Sequence, residues 1–178
     1  MVKRIYLLIA AILLTSCVTW LDRDLRMKKI PYLGDELRID GYYYSNIEYY
    51  SSLDGIRGSI GVAVFYRDGF CIYTEVSPVN QDTLNYIENE FLLNKAYINK
   101  LKNNYGGLGV FQIMDTDIQF EVWLYKSDSQ IHYGKIVNDT TFITNKRVSM
   151  SNKTYPENLT YRFKQFSPKP DSTNVYVK

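Results

Sequence analysis

From Leu37 to the end of the chain, short stretches rich in β-branched and aromatic residues alternate with turn-forming residues. Tyrosine alone supplies 17 of the 178 residues, and such side chains suit a pleated, half-buried strand surface. Turn signals such as Arg67-Asp68-Gly69 and Asn138-Asp139 are typical of hairpins. The candidate strands, in chain order, are LRIDGYYYSNIEYY, SIGVAVFY, FCIYTEV, GLGVFQIM, IQFEVWLY, QIHYGKIV, TTFIT and LTYRFKQF.

The sequential order of these eight candidate strands predicts an antiparallel barrel. Strands joined mostly by tight turns favour up-and-down closure, because closure removes the exposed edges of a sheet. Glycines within the strands, at Gly61, Gly109 and Gly134, fit the bends that closure requires. We therefore predict a mainly β domain over residues 37–178, an eight-stranded antiparallel up-and-down barrel, with a β-sandwich as the alternative.

One segment, at about residues 82–102, breaks the strand pattern. Apolar side chains recur there at helical spacing, at Leu84, Ile87, Phe91, Ile98 and Leu101. Asp82 is a plausible N-cap. The pattern predicts one inserted amphipathic helix, packed against the sheet or across the open end of the barrel.

The beginning of the chain has the features of an export signal. Lys3 and Arg4 precede an unbroken apolar run, residues 5–14. As a helix this run covers roughly 15 Å, about half of the hydrocarbon core of a bilayer. Residues 1–16 are therefore predicted to be a signal peptide and not a membrane span.

The residues that follow the apolar run, Leu14-Thr15-Ser16-Cys17, resemble the lipobox of bacterial lipoproteins. The resemblance implies that Cys17 is the lipid attachment site and the mature N-terminus, and that acyl chains anchor the protein in the bacterial cell envelope. Val18 is not the acidic residue that retains some lipoproteins in the inner membrane, which favours the outer membrane. Residues 17–36 are expected to form the lipidated tether.

Charge and composition argue against several kinds of function. Loss of Lys3 and Arg4 with the signal peptide lowers Lys+Arg from 21 to 19, equal to the 19 Asp+Glu, so no nucleic-acid partner is expected. With Cys17 acylated, Cys71 has no partner for a disulfide or thiolate metal site. His132 is the single histidine and has no acid at useful spacing. We predict no catalytic residue, cofactor or metal, and no enzymatic activity.

Alternation along the strands assigns side chains to two faces. In IQFEVWLY every second residue is apolar, and these residues are predicted to face the barrel interior. The same reasoning applies to SIGVAVFY and to the first strand. The candidate lining of an interior ligand pocket is Tyr43, Val62, Val64, Phe120, Val122 and Leu124.

The tyrosines of GYYYSNIEYY divide by the same parity. Tyr43 and Tyr49 are expected to point inward, although a bulge at Gly41 or Ser45 would reverse the later positions. The tyrosines predicted to point outward, together with the polar face of IQFEVWLY, form a candidate exposed contact patch. Its members are Tyr42, Tyr44, Tyr50, Trp123 and Tyr125.

Several motifs together are similar to lipocalin-like envelope lipoproteins of Gram-negative bacteria. They are the lipobox, LRIDGYYY, YRDG, GVFQI and the tail FSPKPDSTNVYVK. The resemblance implies a calycin-type barrel. It departs from true lipocalins because Gly41 is followed by Tyr42 and Tyr43 instead of the G-x-W pattern, and because the predicted helix lies in mid-chain.

The expected function is non-catalytic binding of a small apolar or amphipathic ligand by a membrane-anchored envelope lipoprotein. The alternative is a structural or interaction module that docks an envelope protein or glycan through its exposed aromatic residues.

Overall fold

A computed structural model describes most of the domain. The described residues are 24–52, 55–77, 82–104, 106–125 and 128–177. The predicted signal peptide, Cys17 and the first part of the predicted tether lie outside them.

The described chain is built from strands with one helical insertion. The strands are β1 (Gly41–Ser45), β2 (Glu48–Ser52), β3 (Gly55–Phe65), β4 (Phe70–Val76), β5 (Leu108–Met114), β6 (Asp117–Tyr125), β7 (Asp128–Asn138), β8 (Thr141–Ser149) and β9 (Thr154–Gln165). The insertion between β4 and β5 comprises α1 (Thr83–Tyr86), a π-helical turn (Ile87–Leu92) and α2 (Lys95–Asn104).

Eight of the strands form one closed antiparallel barrel. Strands β3 to β9 pair in sequential order, β9 pairs with β1, and β1 pairs with β3 to complete the ring. Strand β2 is an additional strand that pairs with the first residues of β3. The mainly β fold and the eight-stranded barrel predicted from the sequence are confirmed, and the sandwich alternative is wrong.

A bulge separates β1 from β2, which the sequence presents as one strand. Tyr44 faces Val62 and Glu48 faces Ser59, so the first strand contains one residue more than the matching part of β3. In the bulge, the Asn46 side chain accepts a hydrogen bond from the Thr160 amide at 2.6 Å. Because of the extra residue, the side chains that follow the bulge point to the faces opposite to those predicted. Tyr49, predicted to point inward, is therefore 70% exposed.

Aromatic rings fill the barrel interior from the closed end to its middle. The Phe142 and Tyr161 rings stack with centroids 4.6 Å apart, and Phe120 stacks on His132 at 4.5 Å. The large interior side chains that are fully buried are Tyr43, Phe65, Phe111, Phe120, Phe142 and Tyr161. This packing resembles a protein core and not a hollow tube.

A second core lies outside the ring, where the helical insertion covers β3 and β4. Ile87, Phe91 and Ile98 pack there with Val62, Val64, Ile72 and other residues of these strands. The predicted helix is in fact two short helices, because Asn94 starts α2: its side chain accepts a hydrogen bond from the Tyr97 amide at 3.0 Å. No helix in the described part of the chain is long and apolar enough to cross a membrane.

The orientation predicted for Val62 and Val64 is wrong. Both side chains are buried, but in the outer core beneath the helices and not in the barrel interior. The inward positions of β3 are Ala63 and Phe65. Because the helical insertion covers β3, both of its faces are apolar, and parity alone could not identify the inner one.

Residues before β1 close one end of the barrel. Tyr32 and Leu37 are buried in the interior core, and the Tyr32 hydroxyl accepts a hydrogen bond from the Leu37 amide at 2.8 Å. From the C-terminal side, Lys169 donates to the carbonyls of Ile39 and Phe65 at 2.6 and 2.7 Å. The described part of the predicted tether is thus packed on the barrel.

Candidate functional site

The end of the barrel opposite Tyr32 and Leu37 contains a cavity of about 290 Å³. We refer to it as the mouth pocket. Its lining residues are Glu48, Tyr50, Ser59, Glu75, Leu124, Gln130 and Arg147.

The lining is polar because the inward positions change character along each strand. On β4 the inward positions run from Cys71 through Tyr73 to Glu75 as the strand approaches the mouth. On β7 the corresponding positions near the mouth are His132 and then Gln130, which face Phe120 and Val122 of β6. The aromatic core therefore forms the floor beneath a polar recess.

A buried ionic chain lies between the aromatic floor and the mouth pocket. Nδ1 of His132 is 3.2 Å from Oε2 of Glu157, and both side chains are fully buried. Nη1 of Arg147 lies 3.5 Å from the other carboxylate oxygen of Glu157. Burial by itself would raise the pKa of Glu157, but the His132 ring and the Arg147 guanidinium hold that pKa below its usual value. Glu157 is therefore a carboxylate near neutral pH.

The same region contains buried polar atoms that have no hydrogen-bond partner among the described residues. They are Nε2 of His132, Oγ1 of Thr144 and the hydroxyl of Tyr161. Burying a polar group without a partner costs about 1–3 kcal/mol, and such groups in folded proteins are usually satisfied by protein, ligand or water. Their concentration on one side of the aromatic core marks this side as the candidate site.

The phenol groups of Tyr73 and Tyr161 meet directly below the mouth pocket. A Cβ atom added at Gly61 would lie 2.7 Å from the Tyr161 hydroxyl and 2.9 Å from the Tyr73 hydroxyl. Gly61 pairs with Glu75, which lines the pocket, and the Tyr73 hydroxyl reaches Oε1 of Glu75 at 3.5 Å. Burial raises the pKa of both phenols far above the usual value, so both hydroxyls remain protonated donors.

The residues predicted to line an interior pocket do not line one common cavity. Tyr43, Phe120 and Val122 are fully buried in the packed interior, whereas Leu124 lines the mouth pocket. Val62 and Val64 lie on the other side of the barrel wall, in the outer core.

The predicted contact patch does not form an exposed surface. Tyr42 is 1% exposed and donates a hydrogen bond to Glu88 at 3.0 Å, and Trp123 is 5% exposed. Tyr44 is half-buried beside Tyr42. Tyr50 is exposed, but the bulge turns it toward the mouth pocket. The side chain of Tyr125 lies outside the described residues.

Comparison of the chain with protein-family models, with curated proteins and with solved structures finds no match. Within the described residues, no group of His, Cys, Asp and Glu side chains is arranged to hold a metal ion. What defines this molecule is its own architecture: a closed eight-stranded antiparallel barrel with a packed interior and a polar recess at one end.

Most of the mouth pocket could not be predicted from residue spacing in the sequence. The acid partner of His132 lies 25 residues away on β9, so no local spacing reveals it. A usable signal was nonetheless present, because the inward positions Glu75 and Gln130 are polar and both fall at the same end of the predicted barrel.

Proposed function

We propose that this protein is a lipid-anchored, lipocalin-like lipoprotein of the bacterial envelope that binds a small amphipathic molecule in the mouth pocket without changing it chemically. The observation that carries the proposal is the coincidence of the pocket with the unpartnered polar atoms of His132 and Tyr161 beneath it. A ligand that hydrogen-bonds to these atoms would remove part of their burial cost.

The size and lining of the pocket favour a small, partly polar ligand. A volume of about 290 Å³ lies at the lower limit of ordinary small-molecule sites. Leu124 and the Tyr50 ring offer apolar contact, whereas most of the remaining lining is charged or amide. A long apolar ligand is poorly matched, because Phe120 and its neighbours occupy the interior that such a ligand would need.

The docking alternative receives less support. It depends on a contiguous exposed aromatic surface, and two of its five residues, Tyr42 and Trp123, are buried. Tyr49 is exposed, but the sequence predicts it to point inward, and it is not a member of the proposed patch.

The anchor is tested by replacing the lipid attachment site. Cys17→Ser is expected to move the protein from the membrane fraction to the soluble fraction and to abolish incorporation of labelled palmitate, because no acyl chain can be attached. The matched control is Cys71→Ala, which removes the buried thiol and should leave membrane retention unchanged. Membrane retention of Cys17→Ser equal to that of the wild type would contradict lipid anchoring.

The ligand site is tested with a pair of glycine variants. Gly61→Ala places a methyl group among the Tyr73 and Tyr161 hydroxyls, whereas the same change at Gly106 meets no atom closer than 3.5 Å. Native mass spectrometry of detergent-extracted protein should show a non-covalent small-molecule adduct in the wild type and in Gly106→Ala. Gly61→Ala should lose most of this adduct, because displaced phenols alter the pocket floor. Equal adduct in both variants would contradict a site at the mouth.

A further inference from the structure

We infer that the ligand of the mouth pocket carries an organic cation, an ammonium or guanidinium group, held between Glu48 and Glu75 beside the ring of Tyr50. This inference rests on the proposed function and adds the chemical class of the ligand to it.

The charges around the pocket are unbalanced toward the negative. Three carboxylates face it from the lining or from directly below, those of Glu48, Glu75 and Glu157. Arg147 and His132 both engage Glu157. Neither Glu48 nor Glu75 forms an ion pair with any described residue, and the Tyr73 hydroxyl lies 3.5 Å from Oε1 of Glu75.

The surroundings of Glu48 show that these charges act on one another. Burial raises the pKa of Glu48, the Arg147 guanidinium opposes this shift, and the carboxylates of Glu75 and Glu157 add to it. Carboxylates that repel each other in a recess with low-dielectric walls produce a focused negative potential. A cation that enters the recess is attracted by this potential and relieves the repulsion.

Among the described residues, the lining of the mouth pocket contains one cationic side chain, Arg147, which already forms an ion pair with Glu157. Arg57 is the nearest further cation along β3 and pairs with Tyr50 in the β2–β3 hairpin. It lies outside the lining of the mouth pocket, on the side of Ser59 away from Gly61. We therefore assign the missing positive charge to the ligand.

The lining favours an organic cation over a metal ion. Among the described residues, no three His, Cys, Asp or Glu side chains are arranged to hold a metal ion. The exposed Tyr50 ring provides a face on which an ammonium or guanidinium group can rest, a contact worth about 0.5–1 kcal/mol at exposed sites. Side-chain oxygens of Ser59 and Gln130 provide further acceptors for N–H groups.

The unpartnered atoms indicate that the ligand extends below its cationic group. The Tyr161 hydroxyl and Nε2 of His132 are fully buried and lie toward the pocket side of the aromatic core. Both can donate or accept a hydrogen bond, according to hydroxyl orientation and imidazole tautomer. A short polar chain that ends in an ammonium or guanidinium group could contact both the carboxylates of the mouth pocket and the unpartnered atoms below them.

The test uses four-carbon probes that differ in their end groups. Isothermal titration of the full mature protein in detergent is carried out with putrescine, agmatine, 1,4-butanediol and succinate. Putrescine or agmatine is expected to bind at least tenfold more tightly than butanediol or succinate. Raising the salt concentration should weaken the binding of the cations, because their attraction to Glu48 and Glu75 is screened.

Charge-neutral variants locate the cation. Glu48→Gln and Glu75→Gln preserve side-chain shape and should each weaken putrescine or agmatine binding about tenfold. The matched control is Asp117→Asn, which removes an exposed carboxylate at the opposite end of the barrel and should leave the affinity unchanged. Circular dichroism of each variant verifies that the fold is retained.

The outcomes separate this inference from the function on which it rests. Cation affinity that is unaffected by both glutamine variants overturns the inference, as does the absence of binding by both cations. Preferential binding of succinate or butanediol that is lost in Gly61→Ala also overturns the cationic class, but it supports a small-molecule site at the mouth. The native mass spectrometry of the co-purified adduct, described above, tests the proposed function alone and not the charge of the ligand.

Discussion

Replacing Phe120 with alanine is expected to lower the free energy of unfolding by about 3–5 kcal/mol, the usual cost of truncating a buried phenylalanine. Phe120 is fully buried at the centre of the barrel and stacks on His132 with centroids 4.5 Å apart. Further rings surround it at 5.8 to 6.4 Å, those of Tyr73, Phe65, Phe142 and Tyr161. Alanine would leave a cavity that neighbours anchored in the barrel wall cannot close.

Urea denaturation measures this loss, and an exposed aromatic residue supplies the control. Tyr49→Ala removes a side chain that is 70% exposed, so its effect should stay within about 0.5 kcal/mol. A loss below about 1 kcal/mol for Phe120→Ala would contradict the packed interior. The result bears on function, because a loosely filled barrel could admit the long apolar ligand that a packed one excludes.

The strand order was predictable because each strand carries its own local signal. Every one of the eight predicted strands corresponds to a strand of the barrel, and the first contains both β1 and β2. Tight turns such as Arg67-Asp68-Gly69 fix the antiparallel neighbours, and Gly69 indeed has a positive φ of 84°. Local chemistry was therefore sufficient for the fold class.

The inward faces were predictable where polar and apolar residues alternate along a strand. On β6, Phe120 and Val122 alternate with polar residues, and parity identified the interior correctly. On β3 the outer face is buried too, so Val62 and Val64 are as apolar as inward residues. The sequence shows that a helix is present but not which strands it covers. Without knowing that the helix covers β3, one cannot tell which apolar face of β3 points into the barrel.

The mouth pocket depends on two events that the sequence does not encode locally. The bulge after Ser45 exchanges the orientations of Tyr49 and Tyr50, and its position is set by the Asn46 contact with Thr160 across the barrel seam. The pairing of His132 with Glu157 likewise requires β7, β8 and β9 to be in register. Both features follow from closure of the ring and appear only in three dimensions.

The second large effect is expected at Glu121, which fastens the N-terminal segment to the outer face of β6. Its carboxylate is fully buried and accepts hydrogen bonds from the Met27 amide and the Ser129 hydroxyl, both at 2.7 Å. Arg26 forms an ion pair with it at 3.2 Å and also donates to the carbonyl of Val148 at 3.1 Å. One acidic side chain therefore holds together β6, β7 and the segment that leads to the predicted anchor.

Glu121→Ala is expected to lower the free energy of unfolding by about 3 kcal/mol. Removal of one member of a buried pair costs about 3–5 kcal/mol, and the lower value applies because the Arg26 side chain is 31% exposed and can return to water. Urea denaturation measures the global loss. Hydrogen exchange at the Met27 amide measures local release of the segment and should accelerate strongly, because that amide loses its acceptor.

Glu121→Gln is the matched control, since its amide oxygen can still accept a hydrogen bond from Met27 or Ser129. Its free energy of unfolding should therefore fall less than that of Glu121→Ala. Unchanged exchange at Met27 in Glu121→Ala would show that other contacts hold the segment. The result has a consequence for the proposed anchor. If Cys17 carries the proposed anchor, the chain from Cys17 to Asp24 can span at most about 25 Å, and fastening of residues 26 and 27 to β6 would keep the barrel close to the membrane. With the proposed anchor in place, release of this segment should lengthen the reach of the domain from the membrane without detaching it.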